Sequence, residues 1–373
     1  MQVLITLVLV LGFVSPSLCT RWNVVEANNN NNTYNVMQYG ASGDGKSDDS
    51  QAFLMAWNST CGVQGEATLV IPPKLSFLVN NLIFTGDCKA TSITIQVVMI
   101  QYINNLTIDG HNTGKIDGYG STWWECKSCP RPRAISIHSC NDLIFTNLRV
   151  TDSPGGHISI NGCKNATFSH LFVDAPGTSP NTDGFDISAS QNILIKNSVV
   201  STGDDCVAVN GGSSYINVTR IVCGPGHGIS IGSLGKGESY ETVEEVHVYN
   251  CTFANTTNGA RIKTFPGGSG YARNITFEQI NLINVTYPII IDQHYGVKDA
   301  TESAVLVSDV TYRGFSGTAF RDIAIKLLCS SLGCSNIVLD DINIVSSQIG
   351  KRVGAFCQNL NGTIESTVPK VSC

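Results

Sequence analysis

Short runs of alternating apolar and polar residues recur from about residue 100 onward, and no long helical pattern interrupts them. One apolar position is common to all of these runs, and it is occupied by Phe145, Phe168, Ile195, Val218, Val248, Phe277, Val307 and Leu339. Consecutive members of this series are 23 to 32 residues apart. A repeat of a few tens of residues is typical of a solenoid, in which each repeat forms one turn of a stack.

The repeat length distinguishes between kinds of all-β fold. It is too short for a strand and a crossover helix in every turn, and a sandwich would place strands every 8–12 residues or so. The predicted fold class is therefore all-β, a right-handed parallel β-helix. Polar residues two positions after the apolar marker, such as Asn147, Asn197 and Asn250, suit tight bends and can form a hydrogen-bonded ladder along the stack.

The amino-terminal part of the chain does not follow the repeat. Residues 36–39 predict a first strand, and residues 48–50 predict the N-cap of a short helix that continues through Trp57. A helix here would cover the hydrophobic end and open edge of the first coil. The predicted domain is a single parallel β-helix spanning residues 34–373, with this short capping helix near its start.

The segment before the domain has the features of a secretion signal. Residues 3–14 form an apolar run, and residues 17–19 supply a small-x-small cleavage site, which predicts a signal peptide over residues 1–19. The run is shorter than the roughly 20 residues that a membrane span needs. Residues 20–33, with their run of Asn, predict a flexible lead-in. We therefore expect a secreted protein with no membrane partner.

Composition and charge limit the choice of ligand. The 373 residues are 42% hydrophobic and only 14% charged, with a net charge of −6. Nucleic-acid binding needs a basic face, and the sequence has no broad basic patch, so no nucleic-acid partner is expected. An anionic ligand would have to be held by a few local cations. We expect the chain to act as a monomer.

The cysteines fit an oxidising compartment. Of the 14 Cys, 13 remain after Cys19 is removed, so at least one thiol is unpaired or intermolecular. Cys126 and Cys129 form a CxxC motif, which we interpret as structural because no second pair or nearby His accompanies it. The ten Asn-x-Ser/Thr sequons suit a glycosylated surface. Proximity in sequence predicts three disulfides, Cys206–Cys223, Cys329–Cys334 and Cys357–Cys373.

Four segments, residues 183–188, 205–210, 227–232 and 258–263, share one pattern: a polar residue, then Gly or Cys, then an apolar-x-apolar pair. Neighbouring coils lie about 4.8 Å apart, so equivalent residues become neighbours in space. Because strand residues alternate between faces, the apolar pairs point into the core and the residues between them point outward. The predicted outward columns are Asp186, Ala208, Ser230, Arg261 and Ser188, Asn210, Gly232, Lys263.

Three carboxylates fall within one coil of each other, those of Asp183, Asp204 and Asp205. Crowded carboxylates repel as anions, so at least one should keep its proton to higher pH than a free Asp. A proton donor beside an ionised acid is what glycoside hydrolysis requires. Asp is also a common turn residue and, in a cluster, a calcium ligand, and both of these explanations stay open for the residues taken singly.

The residues one and two coils further on carry the opposite charge. His227, between glycines, would stack beside Asp205, while Arg261 and Lys263 both face outward because Ile262 separates them. On its own such a pair is a solvated strand face. Next to an acid cluster in a weakly charged protein, it indicates recognition of an anionic substrate, since Arg binds carboxylates through two hydrogen bonds. The residues thus indicate a hydrolase of acidic polysaccharides.

These residues also carry a resemblance to a known family. Segments 181–183 (Asn-Thr-Asp), 203–206 (Gly-Asp-Asp-Cys), 226–228 (Gly-His-Gly) and 261–263 (Arg-Ile-Lys) resemble, in order, the four motifs of the polygalacturonases of glycoside hydrolase family 28, especially the plant members. The resemblance extends from about Tyr34 to the end of the chain. It implies a metal-free enzyme without cofactors that hydrolyses the α-1,4 bonds of galacturonan, the backbone of pectin, with inversion, in the extracellular space and cell wall.

The resemblance also implies a role for each residue. Asp204 would be the general acid, Asp183 and Asp205 would activate the attacking water, and His227 would support the acid. Arg261 and Lys263 would bind galacturonate carboxylates, and Tyr295 would contact the substrate. One departure is Gly296, where plant members often have Cys, so a disulfide in that loop is expected to be absent.

Three alternatives remain at this point: a rhamnogalacturonan hydrolase, a calcium-dependent pectate lyase that shares the β-helix, and a non-enzymatic wall-binding or adhesin β-helix. The sequence does not distinguish internal cleavage from cleavage at the chain end. It also leaves open the tolerance for methyl-esterified pectin and the identity of the occupied sequons.

Overall fold

Two large parallel sheets dominate the described part of the protein. The structure is a computed structural model that describes residues 32–72, 75–78, 88–95, 98–102, 104–126, 129–296 and 304–373. Strands account for 59% of the described residues and helix for 7%. The chain alternates between the two sheets, so that strands adjacent within a sheet come from successive coils. The predicted parallel β-helix is confirmed.

The larger sheet has fifteen strands in the described part of the chain. Its strands are Thr33–Asn35, Gly65–Val70, Ala90–Ile95, Thr107–Asp117, Asn141–Thr151, Lys164–Ser169, Phe172–Asp174, Gln191–Ser201, Ser213–Cys223, Tyr240–Ala254, Ser269–Val285, Leu306–Ala319, Cys334–Ser346, Leu360–Ile364 and Thr367–Val368.

The second sheet has ten strands, most of them short, and carries the residues of the candidate site. Its strands are Val98–Gln101, Ile135–His138, Ile158–Asn161, Phe185–Ser188, Val207–Val209, Ile229–Leu234, Asn258–Thr264, Tyr287–Asp292, Ile323–Leu328 and Gly354–Gln358. A separate pair, Asp44–Asp48 and Ser76–Leu78, forms a small parallel sheet near the amino terminus.

The apolar repeat sets the register of the fifteen-stranded sheet. The markers from Phe145 to Phe277 pair directly with one another in successive strands, and all are buried. The next partner is Tyr312, however, and the prediction of Val307 was wrong by five residues. Val307 is also buried and pairs with Ala272 in the same two strands, because this coil is longer than its neighbours and offers two apolar positions.

The predicted bends after the markers are present. Asn147, Asn197 and Asn250 all have positive φ, the left-handed conformation that Asn tolerates better than most residues. The ladder along this corner joins unlike residues: Asn147 Nδ2 donates to Asp109 Oδ1 at 2.9 Å, and Asn197 Nδ2 lies 3.2 Å from His170 Nε2. The left-handed backbone conformation is therefore common to these bends, whereas the residues that form the ladder differ from coil to coil.

The amino-terminal end is capped by the helix Ser50–Gly62, which places Phe53 and Trp57 in the core and extends five residues beyond the predicted end at Trp57. Asp49 occupies the N-cap position, but its carboxylate accepts from the backbone N–H groups of Ser42 and Gly43 instead of capping the helix. The prediction of a first strand over residues 36–39 was also wrong.

That segment, Val36–Tyr39, is a 3-10 helix, and the strand precedes it at Thr33–Asn35. Asn35 accepts from the N–H of Met37, and Gln38 accepts from the N–H of Asn35, so a capping box starts the helix and ends the strand. The predicted signal peptide and residues 20–31 of the lead-in lie outside the described residues. In the described part, no helix is long and apolar enough to cross a membrane.

Five disulfides fasten the described coils. The three predicted pairs are confirmed, and Cys126 and Cys129 are bonded to each other. Cys61–Cys88 joins the end of the capping helix to the first coils and was not predicted. Cys140, Cys163 and Cys251 are buried, and Cys163 and Cys251 form no disulfide within the described part of the chain.

Candidate active site

The ten-stranded sheet brings the four predicted segments side by side. Phe185, Val207, Ile229 and Ala260 pair in successive strands and are fully buried, as their register requires. The predicted first outward column, from Asp186 through Ala208 and Ser230 to Arg261, is confirmed by the same pairing.

The second outward column is only partly regular. The register shifts after Ile231, so Gly232 is not the ladder partner of Lys263. Lys263 is also less exposed than an outward position implies, at 7% of its accessible surface. Its side chain is covered because its ammonium group turns back toward the acid cluster.

Asp205 is the centre of that cluster and is completely buried. Its Oδ1 accepts hydrogen bonds from Ser230 Oγ, at 2.8 Å, and from the Arg261 guanidinium, while its Oδ2 accepts from Lys263 Nζ at 2.8 Å. Arg261 Nε also donates to Ser230 Oγ at 2.8 Å. A buried carboxylate is tolerated only when it is paired and hydrogen-bonded, and here two cations and a hydroxyl fulfil both conditions.

Asp204 is half-exposed and contacts the predicted histidine. His227 Nδ1 lies 2.9 Å from Asp204 Oδ1, which also accepts from the backbone N–H of Asp205 at 2.9 Å. Burial acts to raise the pKa of Asp204, but the hydrogen bond and charge of His227, together with the charge of Lys263, leave this pKa below its ordinary value. These partners therefore favour the ionised form of Asp204.

Asp183 lies one coil before these residues and behaves in the opposite way. Burial, followed by the negative charges of the neighbouring carboxylates of Asp186, Asp204 and Asp205, raises its pKa well above the ordinary value. Its backbone carbonyl accepts from the N–H of His157 at 2.7 Å, which fixes the position of the segment. The expectation that one carboxyl of the group keeps its proton is thus met by Asp183.

Glycines bring these coils close enough to interact. A Cβ at Gly203 would lie 1.9 Å from the carbonyl oxygen of Ser179, so no larger residue fits before Asp204. Gly228, after His227, has φ +85 and would place a Cβ 2.2 Å from the carbonyl oxygen of Asn258. Both positions need glycine because backbone from the adjacent coil occupies the space.

Tyr295 completes the predicted set. Its ring centroid is 5.3 Å from Lys263 Nζ, and it packs edge-on against Phe265 at 5.3 Å. The structure therefore brings all seven predicted residues to one region: Asp183, Asp204, Asp205, His227, Arg261, Lys263 and Tyr295.

Comparisons with known proteins identify the family of this chain. The family model described as glycosyl hydrolases family 28 matches residues 61–373. The chain belongs to glycosyl hydrolase family 28. It is therefore a glycoside hydrolase.

Relatives and solved structures agree with this membership. A "probable polygalacturonase" of Arabidopsis thaliana is 44% identical over 92% of this chain and 80% of its own length. A polygalacturonase of Persea americana is 39% identical over 87% of this chain and 76% of its own length. An endo-xylogalacturonan hydrolase from Aspergillus tubingensis superimposes with a TM-score of 0.67 and 26% identity, over 90% of this chain and 99% of that one.

The fit of the site to a cation bears on the lyase alternative. Oxygen or nitrogen atoms of Asp204, Asp205 and His227 lie within 4.8 Å of one another, as metal ligands would. Calcium takes six to eight oxygen ligands, roughly, and here both oxygens of Asp205 already face the positive charges of Arg261 and Lys263. This set of donors does not fit calcium.

The sequence did not assign a role to four residues of the site. Asp186 lies in the outward column and has a raised pKa, chiefly through burial, while Arg133 approaches it at 3.7 Å. Asn181 Nδ2 donates to Asp204 Oδ2 at 3.3 Å, and Arg131 in turn contacts Asn181. The only sequence signal for the two arginines was their position next to the CxxC motif.

Proposed function

We propose that this chain is a secreted, plant-type polygalacturonase that hydrolyses α-1,4 bonds between galacturonic acid residues of pectin, outside the cell and in the cell wall. The observation that carries the proposal is the arrangement of Asp205 between Arg261 and Lys263, directly beside Asp204 and His227. It provides a cationic site for a substrate carboxylate within one or two coils of a proton donor. Family membership and the polygalacturonase relatives support the same substrate.

Substrate binding would use the two cations. Both cations pair with the same carboxylate, that of Asp205, so within this ion pair two positive charges face one negative charge. A galacturonate carboxylate fits the excess positive charge, and the Arg261 guanidinium can bind it through two hydrogen bonds. Tyr295, beside Lys263, would pack against the same sugar.

The chemistry requires a protonated and an ionised carboxyl on opposite sides of the scissile bond. We assign the general acid to Asp204, supported by His227, and the activation of water to Asp183. Asp205 was also expected to activate water, but both of its oxygens are bonded and it has no exposed surface, which favours a supporting role in fixing the two cations.

The two pKa shifts run in opposite directions: the pKa of Asp183 is raised and that of Asp204 is lowered, so Asp183 keeps a proton more readily than Asp204 does. Coupled carboxyls titrate as a group, so one proton can move between them. A substrate carboxylate at Lys263 would offset part of the positive charge that lowers the pKa of Asp204. Binding of an anionic substrate would thereby favour a protonated Asp204 and leave Asp183 free to take a proton from water.

Carboxylate spacing gives the stereochemistry a direct test. Oxygens of Asp204 and Asp205 lie within 4.8 Å, whereas an acid and a water-activating base in inverting enzymes are separated by about 6.5–9.5 Å. Both oxygens of Asp205 are also bonded already, so we assign the water to Asp183. We expect inversion, seen by NMR as the β-anomer of the new reducing end in the first minutes of hydrolysis.

The primary test is hydrolysis of polygalacturonate by the purified protein and by Asp204→Asn. We expect a loss of about 10²–10⁴-fold in kcat, the usual contribution of a general acid, with binding of the polymer retained. Wild-type turnover in that variant would contradict the assignment. An unsaturated product absorbing in the ultraviolet would indicate a lyase, and preference for rhamnogalacturonan would indicate the alternative hydrolase.

A further inference from the structure

The loop between the CxxC motif and the strand Ile135–His138 reaches the catalytic acids from outside the four family motifs. It follows directly after the Cys126–Cys129 disulfide. Trp124, just before it, donates its indole N–H to the carbonyl oxygen of Ser153 at 3.0 Å, which ties the loop to the next coil. The chain just before the loop is thus restrained by the disulfide and by this hydrogen bond.

Arg131 extends from this loop across a sequence separation of about fifty residues to the segment that contains Asp183. One nitrogen of its guanidinium donates to the carbonyl oxygen of Pro180, and the other donates to Asn181 Oδ1 at 2.6 Å. The first nitrogen also lies 3.4 Å from the carbonyl oxygen of Pro154. The side chain is half-buried, and all of these contacts are to oxygens.

These contacts determine which way the Asn181 amide faces. Arginine has donors and no acceptor, so the oxygen of the amide must face Arg131 and its NH₂ group must face the other way. That NH₂ group donates to Asp204 Oδ2 at 3.3 Å. Asn181 itself has φ +52, a left-handed conformation in which its backbone needs support from neighbours.

Among the contacts that the described residues make with Asp204, the two carboxylate oxygens differ. Oδ1 is bonded to His227 and to the backbone N–H of Asp205, whereas Oδ2 is bonded to Asn181 alone. Oδ2 therefore has a free lone pair and is the better placed oxygen to carry a proton to the leaving group.

We propose that Arg131 is a positioning residue of the hydrolase: it fixes the Asn181 amide and, through it, the orientation of Asp204 Oδ2 toward the scissile bond. This inference rests on the proposed role of Asp204 as general acid. Arg131 would act through Asn181 and not on the reacting atoms directly.

The test compares Arg131→Met and Arg131→Lys with wild type. A small misplacement of a catalytic group can cost about 10²-fold in rate, so we expect Arg131→Met to lower kcat by about 10–100-fold with KM changed less than about threefold. Arg131→Lys keeps the charge but cannot reach both the Pro180 carbonyl oxygen and Asn181 Oδ1. Its kcat should therefore lie between those of wild type and Arg131→Met. Arg313→Met is the control, because Arg313 also bridges two acceptor residues, Glu278 and Asp340 on the fifteen-stranded sheet, and is more exposed than Arg131.

Two further measurements separate positioning from a structural role. In a double-mutant cycle, Asn181→Ala should add little to the loss in Arg131→Met, because both remove the same constraint. The NH₂ donated to Asp204 stabilises the ionised carboxyl, so its loss should raise the pKa of Asp204 and move the alkaline limb of the kcat profile to higher pH. Additive losses, an unmoved profile or wild-type kcat in Arg131→Met would overturn the inference.

The proposed function can fail separately from this inference. Carbon-13 NMR of the Asp204 carboxyl reports its titration without any substrate, and the raised pKa in Arg131→Met is expected there whatever the enzyme hydrolyses. If Arg131→Met does not fold, the same titration in Arg131→Lys and in Asn181→Ala tests the same constraint, and an unchanged titration in both contradicts it.

Discussion

Replacing Asp205 by Asn would test the buried charge arrangement most directly. The substitution keeps the shape of the side chain but removes the negative charge between Arg261 and Lys263. Breaking a buried ion pair from one side costs about 3–5 kcal/mol, because the remaining charge is left uncompensated. The two cations keep 11% and 9% of their side-chain surface exposed, so partial hydration places the expected loss at the lower end, about 3 kcal/mol.

Equilibrium unfolding in urea, followed by tryptophan fluorescence, measures this loss as a lower midpoint with an unchanged slope. Asp340→Asn is the control: it removes an exposed partner of Arg313, 3.1 Å away, and should cost at most about 1 kcal/mol. Adding Lys263→Met to Asp205→Asn should recover part of the loss, because one of the two unpaired charges is then gone.

The same variant offers an anion test. With Asp205 neutralised, the two cations should bind a free carboxylate such as galacturonate, and an anion at 100 times its Kd would add about 2.7 kcal/mol of stability. Wild type should gain less at the same concentration. If Asp205→Asn loses no more stability than the control, or gains no more than wild type from the anion, the charges are not coupled as described.

Four other outcomes follow from the same structure. Arg261→Ala should reduce kcat/KM on polygalacturonate by about 30-fold or more, from the roughly 2 kcal/mol of a lost charged contact, and far less on a neutral glucan control; equal losses would indicate a fold defect. The raised pKa of Asp183 means that the native state binds the proton more tightly, so this contribution to stability is complete below pH 3.8 and is lost as pH rises through the folded-state pKa. Urea midpoints of Asp183→Asn should therefore fall less than those of wild type over that range. The double variant Cys206→Ser/Cys223→Ser cannot form this disulfide, which closes a loop with a separation of 17 residues. Its free energy of unfolding should therefore be lower by about 3 kcal/mol. Excess chelator should leave hydrolysis unchanged, whereas activity that depends on calcium would support the lyase alternative.

The fold was predictable because each coil must bury the same apolar positions. From Phe145 to Phe277 the repeat alone determines the strand register, since a slip by one residue would turn the entire set outward. The pattern failed where a coil is longer and contains two apolar candidates, so Val307 was chosen where Tyr312 is the partner. It also failed at Val36–Tyr39, where local capping by Asn35 decides the structure.

The sequence predicted which residues the coils bring together, but not the contacts that they make. The stacking of coils brings the four motifs together, and the outward column ending at Arg261 follows from strand alternation. Burial of Asp205 does not follow, because it precedes its strand and lies where alternation no longer assigns a face. Arg131 was beyond sequence reasoning, since nothing in residues 126–133 indicates that the loop packs against residue 181.

The charges around Asp205 also bear on whether this β-helix is an enzyme or a passive binding scaffold. A buried charge cluster contributes little stability, and well-packed apolar residues in its place are often neutral or stabilising by about 1–4 kcal/mol. The fold accepts such a residue in the same column, because Arg261 is followed one coil later by Ile290, which is buried. The coil geometry therefore does not require Arg261, Lys263 or Asp205. Their retention beside Asp204 and His227 is better explained by a reaction that needs them than by the stability of the stack.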